Sequence, residues 1–127
     1  MIPPMKRRPT DAELAILRVL WNRGPSTVRE VAEAMRHTGA YTTVLKTLQI
    51  MTEKGLVERD ESQRPQIYRA RYTQQETQKQ LLRDLVQRAF GGSVKALVLQ
   101  AMETKRSSKE ELEAIENLLD RFERGEK

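Results

Sequence analysis

Residues 40–61 read AYTTVLKTLQIMTEKGLVERDE. Leu45, Leu48 and Met51 are spaced as the buried stripe of a helix, and the opposite face carries Tyr41, Thr42, Thr43, Lys46 and Thr47. A helix that only needs to stay soluble presents Glu and Lys to water, whereas this one presents hydroxyls and a single lysine. Threonine hydroxyls donate and accept, threonine methyls can touch a thymine methyl, and lysine can donate to guanine O6 and N7. Thr42, Thr43, Lys46 and Thr47 therefore suit the base edges of a DNA major groove. An ordinary exposed helix is the alternative, although several threonines together weaken a helix.

Contacts to phosphate are expected from the flanks. Ser26, Thr27 and Arg29 open the preceding helix, where free N–H groups favour an anion. Tyr41 can reach a phosphate, Lys54 ends the threonine-bearing helix, Arg64 sits at the tip of a hairpin, and Lys6, Arg7 and Arg8 form a basic N-terminal cluster. Such contacts set affinity and salt dependence rather than sequence choice. His37 is the single histidine, and with no cysteine the chain offers it no second soft ligand, so no metal is expected. There is no glycine-rich phosphate loop and no G-x-S-x-G, so neither an enzyme nor a cofactor is expected.

These side chains need elements to hold them. Thr10 with Glu13 reads as a capping box, followed by Leu14, Leu17, Leu20 and Trp21 at helical spacing, with Trp21 expected in the core. Asn22 to Pro25 ends that helix. Thr27 with Glu30 opens a second helix carrying Val28, Val31, Ala32 and Met35, and His37-Thr38-Gly39 makes a turn. The third helix runs from about Tyr41 to Lys54, with Gly55 closing it. The period then becomes alternating: Leu56 to Arg59 and Gln66 to Tyr72 read as two strands around a polar turn at Asp60 to Pro65. Three helices and a hairpin, with a short turn before the third helix, are the order of a winged helix-turn-helix.

From Thr73 onward the pattern is helical throughout. Leu81, Leu82, Leu85, Ala89 and Phe90 share one side of a first helix, and Gly91-Gly92 breaks it. Ser93 caps a second with Val94, Leu97, Val98, Ala101 and Met102. Ser108 with Glu111 opens a third with Leu112, Ile115, Leu118, Leu119 and Phe122. Isolated helices of this length are marginal in water. Packing against the same segment of a second chain is the economical solution; folding back onto the first part is the alternative. The expected dimerisation residues are Leu81, Leu85, Val94, Leu97, Val98, Leu112, Ile115, Leu118, Leu119 and Phe122. The fold class is thus mainly α with a small β-hairpin: a winged-helix head over residues 1–72 and a helical dimerisation domain over 73–127.

Composition agrees with thin helices and large charged surfaces: 38% of the 127 residues are hydrophobic and 32% charged. The net charge of +5 is all in the head, where 13 Lys and Arg face 8 Asp and Glu, while the tail balances at 10 and 10. A one-sided basic excess favours a polyanionic partner. The absence of cysteine fits a reducing cytoplasm. No apolar run is long enough for membrane insertion, and the basic N-terminal cluster lacks the apolar stretch of a secretory signal. A winged-helix protein-interaction adaptor, without base reading, is the competing class. A neutral or acidic third helix would mark it, and this chain has Lys46, Lys54 and Arg64 in that region.

Four stretches carry a resemblance: Thr10-Asp-Ala-Glu-Leu-Ala-Ile-Leu-Arg-Val-Leu-Trp21, Thr27-Val-Arg-Glu-Val-Ala, Tyr41-Thr-Thr-Val-Leu-Lys-Thr-Leu and Lys54-Gly-Leu-Val. From about Thr10 to Leu119 the chain resembles the penicillinase repressor family of bacterial regulators, the BlaI, MecI and CopY type. The resemblance implies a homodimeric repressor with a winged-helix head, bound to a dyad-symmetric promoter operator. For the penicillinase members it also implies a membrane sensor-protease partner that leads to cleavage in the tail, and for the copper-responsive members a cysteine-rich metal motif. This chain departs from both. It has no cysteine, and Gln100-Ala101 stands where the cleaved Asn-Phe bond is expected. Ile50 stands where many relatives carry a basic residue.

Overall fold

The computed structural model describes residues 8–35, 40–104, 108–123 and 125. The element order is α1 (Asp11–Arg23), α2 (Val28–Ala34), α3 (Tyr41–Lys54), β1 (Val57–Asp60), β2 (Ile67–Ala70), α4 (Gln74–Ala89), α5 (Val94–Thr104) and α6 (Lys109–Glu123). The protein is mainly helical with one antiparallel hairpin, as its periodicities predict. The strands are shorter than the expected ranges and pair Val57 with Ala70 and Asp60 with Ile67.

The chain divides into two compact units, Met1–Arg83 and Asp84–Lys127, and the division falls within α4. In the first unit one core joins the three helices to the hairpin. Ile16, Leu17 and Leu20 come from α1, Val28 and Val31 from α2, Val44, Leu48 and Met51 from α3, and Val57 and Tyr68 from the strands. The α3 stripe is therefore Val44, Leu48 and Met51, with Leu45 half-buried at its edge. Trp21 is half-buried and packs on the rim of the core rather than inside it. Its indole N–H donates to the Tyr72 carbonyl at 3.0 Å, because a buried indole would need a polar partner and the rim supplies one.

The caps fix where the helices begin and end. Thr10 and Glu13 exchange hydrogen bonds at the start of α1, as do Thr27 and Glu30 at the start of α2. The reciprocal pair Thr73 and Glu76 does the same at the start of α4, a capping box that the hydrophobic pattern had not drawn attention to. At the end of α3 the Leu56 N–H donates to Met51 O, and Gly55 adopts φ 78°, the left-handed geometry of a Schellman end. A side chain at Gly55 would be strained by that φ, and its Cβ would lie 3.0 Å from Arg71 Nη1.

A third backbone segment joins the hairpin. Ser26 and Tyr68 exchange N–H···O bonds at 2.9 and 2.8 Å, so the link between α1 and α2 is stitched to β2. In the second unit, Val86 is buried. The turn after α4 closes through Gly92 N–H to Val86 O, and the Ser93 and Ser108 hydroxyls cap α5 and α6 by accepting from Ala96 and Glu111 N–H. No described helix is long and apolar enough to cross a membrane.

Candidate nucleic-acid interface

The core takes one side of α3 and leaves the other in water. Tyr41, Thr42, Thr43, Lys46, Gln49, Ile50 and Glu53 are exposed, and Thr47 is half-buried. At about 3.6 residues per turn, residues 42, 43, 46, 49, 50 and 53 fall within one arc of roughly 120°. The structure thus brings Thr42, Thr43 and Lys46 together on one surface, with Lys46 near its middle. Lys46 makes no ion pair among the described residues, so its ammonium is available to an external acceptor. Thr47 stands apart: its hydroxyl donates to the Thr43 carbonyl at 2.9 Å, which leaves only lone pairs to offer.

Gln49, Ile50 and Glu53 extend this surface by a turn and more. The same helical period that selected residues 42 to 47 could have found them. Glu53, an anion, marks the end at which the surface stops suiting a polyanion.

Beside the start of α3 lies a cleft of about 450 Å³, lined by Thr27, Val28, Arg29, Tyr41, Leu45, Arg64, Pro65, Gln66 and Tyr68. Four of the residues expected to contact phosphate, Thr27, Arg29, Tyr41 and Arg64, therefore converge from α2, α3 and the hairpin turn. No acidic side chain lines the cleft. Arg29 is exposed and has no ion pair among the described residues. Arg64 donates to the Glu61 carbonyl at 2.7 Å, which steadies the guanidinium without neutralising it.

Two residues leave the expected phosphate set. Ser26 is buried, and its hydroxyl donates to the Gly24 carbonyl at 2.8 Å, because the Ser26 backbone is held against β2 and its side chain turns inward. Lys54 lies 2.7 Å from Glu13 Oε1 with both side chains largely buried, so its charge is already spent within the fold. Thr27 also has a structural task, since its hydroxyl accepts from Glu30 N–H. The start of α2 does not await an external anion: the Glu30 carboxylate occupies it, accepting from Thr27 N–H at 2.9 Å. That hydrogen bond, more than the neighbouring Arg23, holds the Glu30 carboxyl below its usual range. Arg8 is exposed ahead of α1, whereas Arg7 and His37 lie outside the described residues.

On the hairpin, Arg59 pairs with Glu61 at 2.6 Å and Arg69 with Glu58 at 3.5 Å. The outer strand faces are thereby neutralised locally, whereas Arg29 and Arg64 at the cleft and Lys46 on α3 have no ion pair among the described residues.

Of the residues expected at a dimer seam, Leu85, Val94 and Leu118 are about half exposed, and Leu81, Leu97, Val98, Leu112 and Ile115 are half-buried. Leu82 and Leu99 are exposed to a similar degree and join the same class. The Leu119 and Phe122 side chains lie outside the described residues.

A helical trio with its third helix exposed and a hairpin beside it is a winged helix-turn-helix, the class of a DNA-binding regulator. The sequence matches the model of the penicillinase repressor family over residues 9–121, and the chain belongs to that family of DNA-binding transcriptional repressors. No curated protein matches the sequence. A solved structure described as reduced AbfR bound to DNA aligns with 91% of this chain and 72% of that one, with 17% identity and a TM-score of 0.44.

Proposed function

We propose that the protein is a homodimeric cytoplasmic repressor that occupies a dyad-symmetric promoter operator. The observation that carries this reading is one surface of the head: exposed Lys46 among Thr42 and Thr43 on α3, flanked by a cleft that gathers Arg29 and Arg64 with no acidic side chain in its lining. α3 enters the major groove and reads bases with Thr42, Thr43 and Lys46, with Thr47 contributing as an acceptor. Thr27, Arg29, Tyr41, Arg64 and Arg8 follow the backbone. The tail, from residue 73 onward, pairs two copies through the apolar side chains that a single chain leaves in water.

Two heads then meet successive major grooves about 34 Å apart, and the bound dimer blocks promoter DNA sterically. Linking two heads raises affinity by about 10²–10⁴-fold through effective concentration, so loss of the dimer releases the operator. Control of the tail is therefore control of repression, whether a protease or a ligand exerts it.

The test is binding of the purified protein to its own upstream DNA and to a scrambled duplex across a salt series, with the mass in solution measured alongside. Tight, salt-steep, selective binding by a dimer is expected. A monomer that binds both duplexes equally would overturn the reading.

A further inference from the structure

Among the described residues from 8 to 72, the exposed large apolar side chains are Tyr41 and Ile50, and both stand on α3. Tyr41 lines the cleft and has a hydroxyl to offer. Ile50 has none. The residue is 41% exposed, and its neighbours one turn away along α3 are Lys46, Thr47, Glu53 and Lys54, none of them an apolar residue. By helical period it lies between Lys46 and Thr43 on the readable arc. A β-branched residue gives no helix-forming advantage at such a place.

Resting on the operator-binding reading above, we propose that Ile50 is a specificity-determining residue that reads the C5 methyl of a thymine. Among the major-groove base edges, that methyl is the one apolar group; every other feature is a donor or an acceptor. An aliphatic side chain pressed against the N4 amine of cytosine would strand a donor without a partner, which is costly once water is excluded. Against thymine it buries two apolar surfaces at once. The side chain thus selects thymine over cytosine without making a hydrogen bond. Laid along the groove, α3 carries Ile50 about 10 Å beyond Thr43, or roughly three base-pair steps.

The experiment begins with duplexes that the full-length protein selects from a randomised pool. Each thymine of the selected site is then replaced singly by deoxyuridine, which removes only the methyl. At one thymine within about three base pairs of the position that Thr43→Ala relaxes, the wild-type protein is expected to lose about fourfold in affinity, the worth of one buried methyl. Ile50→Ala should lose nothing further there, and Ile50→Val should fall between. Placing 5-methylcytosine instead of cytosine at that position should recover part of the loss for wild type and none for Ile50→Ala. The salt slope should be the same for all three proteins, since no phosphate contact changes. Equal losses on uracil substitution in wild type and Ile50→Ala at every thymine would overturn the inference while leaving operator binding intact. A pool from which nothing is enriched would overturn both.

Discussion

Lys54 Nζ lies 2.7 Å from Glu13 Oε1 and ties the last turn of α3 to the first turn of α1. The same carboxylate oxygen accepts from Thr10 N–H at 2.8 Å. Glu13 is therefore both a helix cap and the buried partner of a lysine 41 residues away. Burial is the largest single influence on this carboxyl and pushes its pKa up. The hydrogen bonds from Lys54 and Thr10, together with the Lys54 charge, outweigh it and hold the group below the usual glutamate range.

This pair should give stability a defined pH dependence. A carboxyl held low in the folded state contributes fully above its unfolded value of about 4.3, and the contribution is lost as pH falls through the folded value. Glu13→Gln keeps a capping side chain and removes the charge. At pH 7 it should cost about 1.5–3 kcal/mol, the range for hydrogen bonds to charged groups. The wild-type and variant melting curves should draw together as pH falls below about 4.3 and converge only once it has passed the lower folded value of Glu13. Glu30 and Asp60 are also held low, so the difference between the two proteins is the quantity to follow.

The α3 surface predicts an order of effects. Lys46→Ala should lower discrimination between operator and random DNA by about 1–3 kcal/mol where a bidentate base contact is lost, and Thr43→Ala by less. Thr47→Val should be mildest, because its hydroxyl proton is already given to the Thr43 carbonyl. Competition binding against random duplex ranks the three. Full operator preference in both Lys46→Ala and Thr43→Ala would show that α3 is not the reader.

The cleft predicts a different signature. Arg29→Ala and Arg64→Ala should weaken binding to every duplex alike, and each should reduce the slope of log affinity against log salt by about 0.9. Lys54→Met should leave that slope unchanged under conditions where the protein stays folded, since its ammonium already serves Glu13.

The tail is tested with Leu118→Glu, which places a charge on the apolar face of α6 where the side chain is half exposed. Sedimentation should show a shift towards monomer, with operator affinity falling by about 10²-fold or more as avidity is lost. A dimer that survives this change and Ile115→Glu would move the interface elsewhere.

The sequence alone determined which segments are helices and where they start and stop. Capping boxes and glycine ends are local devices: Thr10 with Glu13 and Gly55 act within a few residues of themselves, so their chemistry is written consecutively. The α3 hydroxyl surface was legible for the same reason, since a helical face follows from spacing alone. The fate of particular charged and polar side chains was not. Ser26 and Lys54 read as phosphate contacts because each is polar and terminal to a helix. Only the tertiary structure brought β2 against Ser26 and Glu13 against Lys54, and a polar group's availability depends on its partner. Trp21 moved from core to rim on the same principle, since the Tyr72 carbonyl that takes its proton is 51 residues away. Local propensity and period set the elements; long-range pairing decided which of their side chains remain for a partner outside the chain.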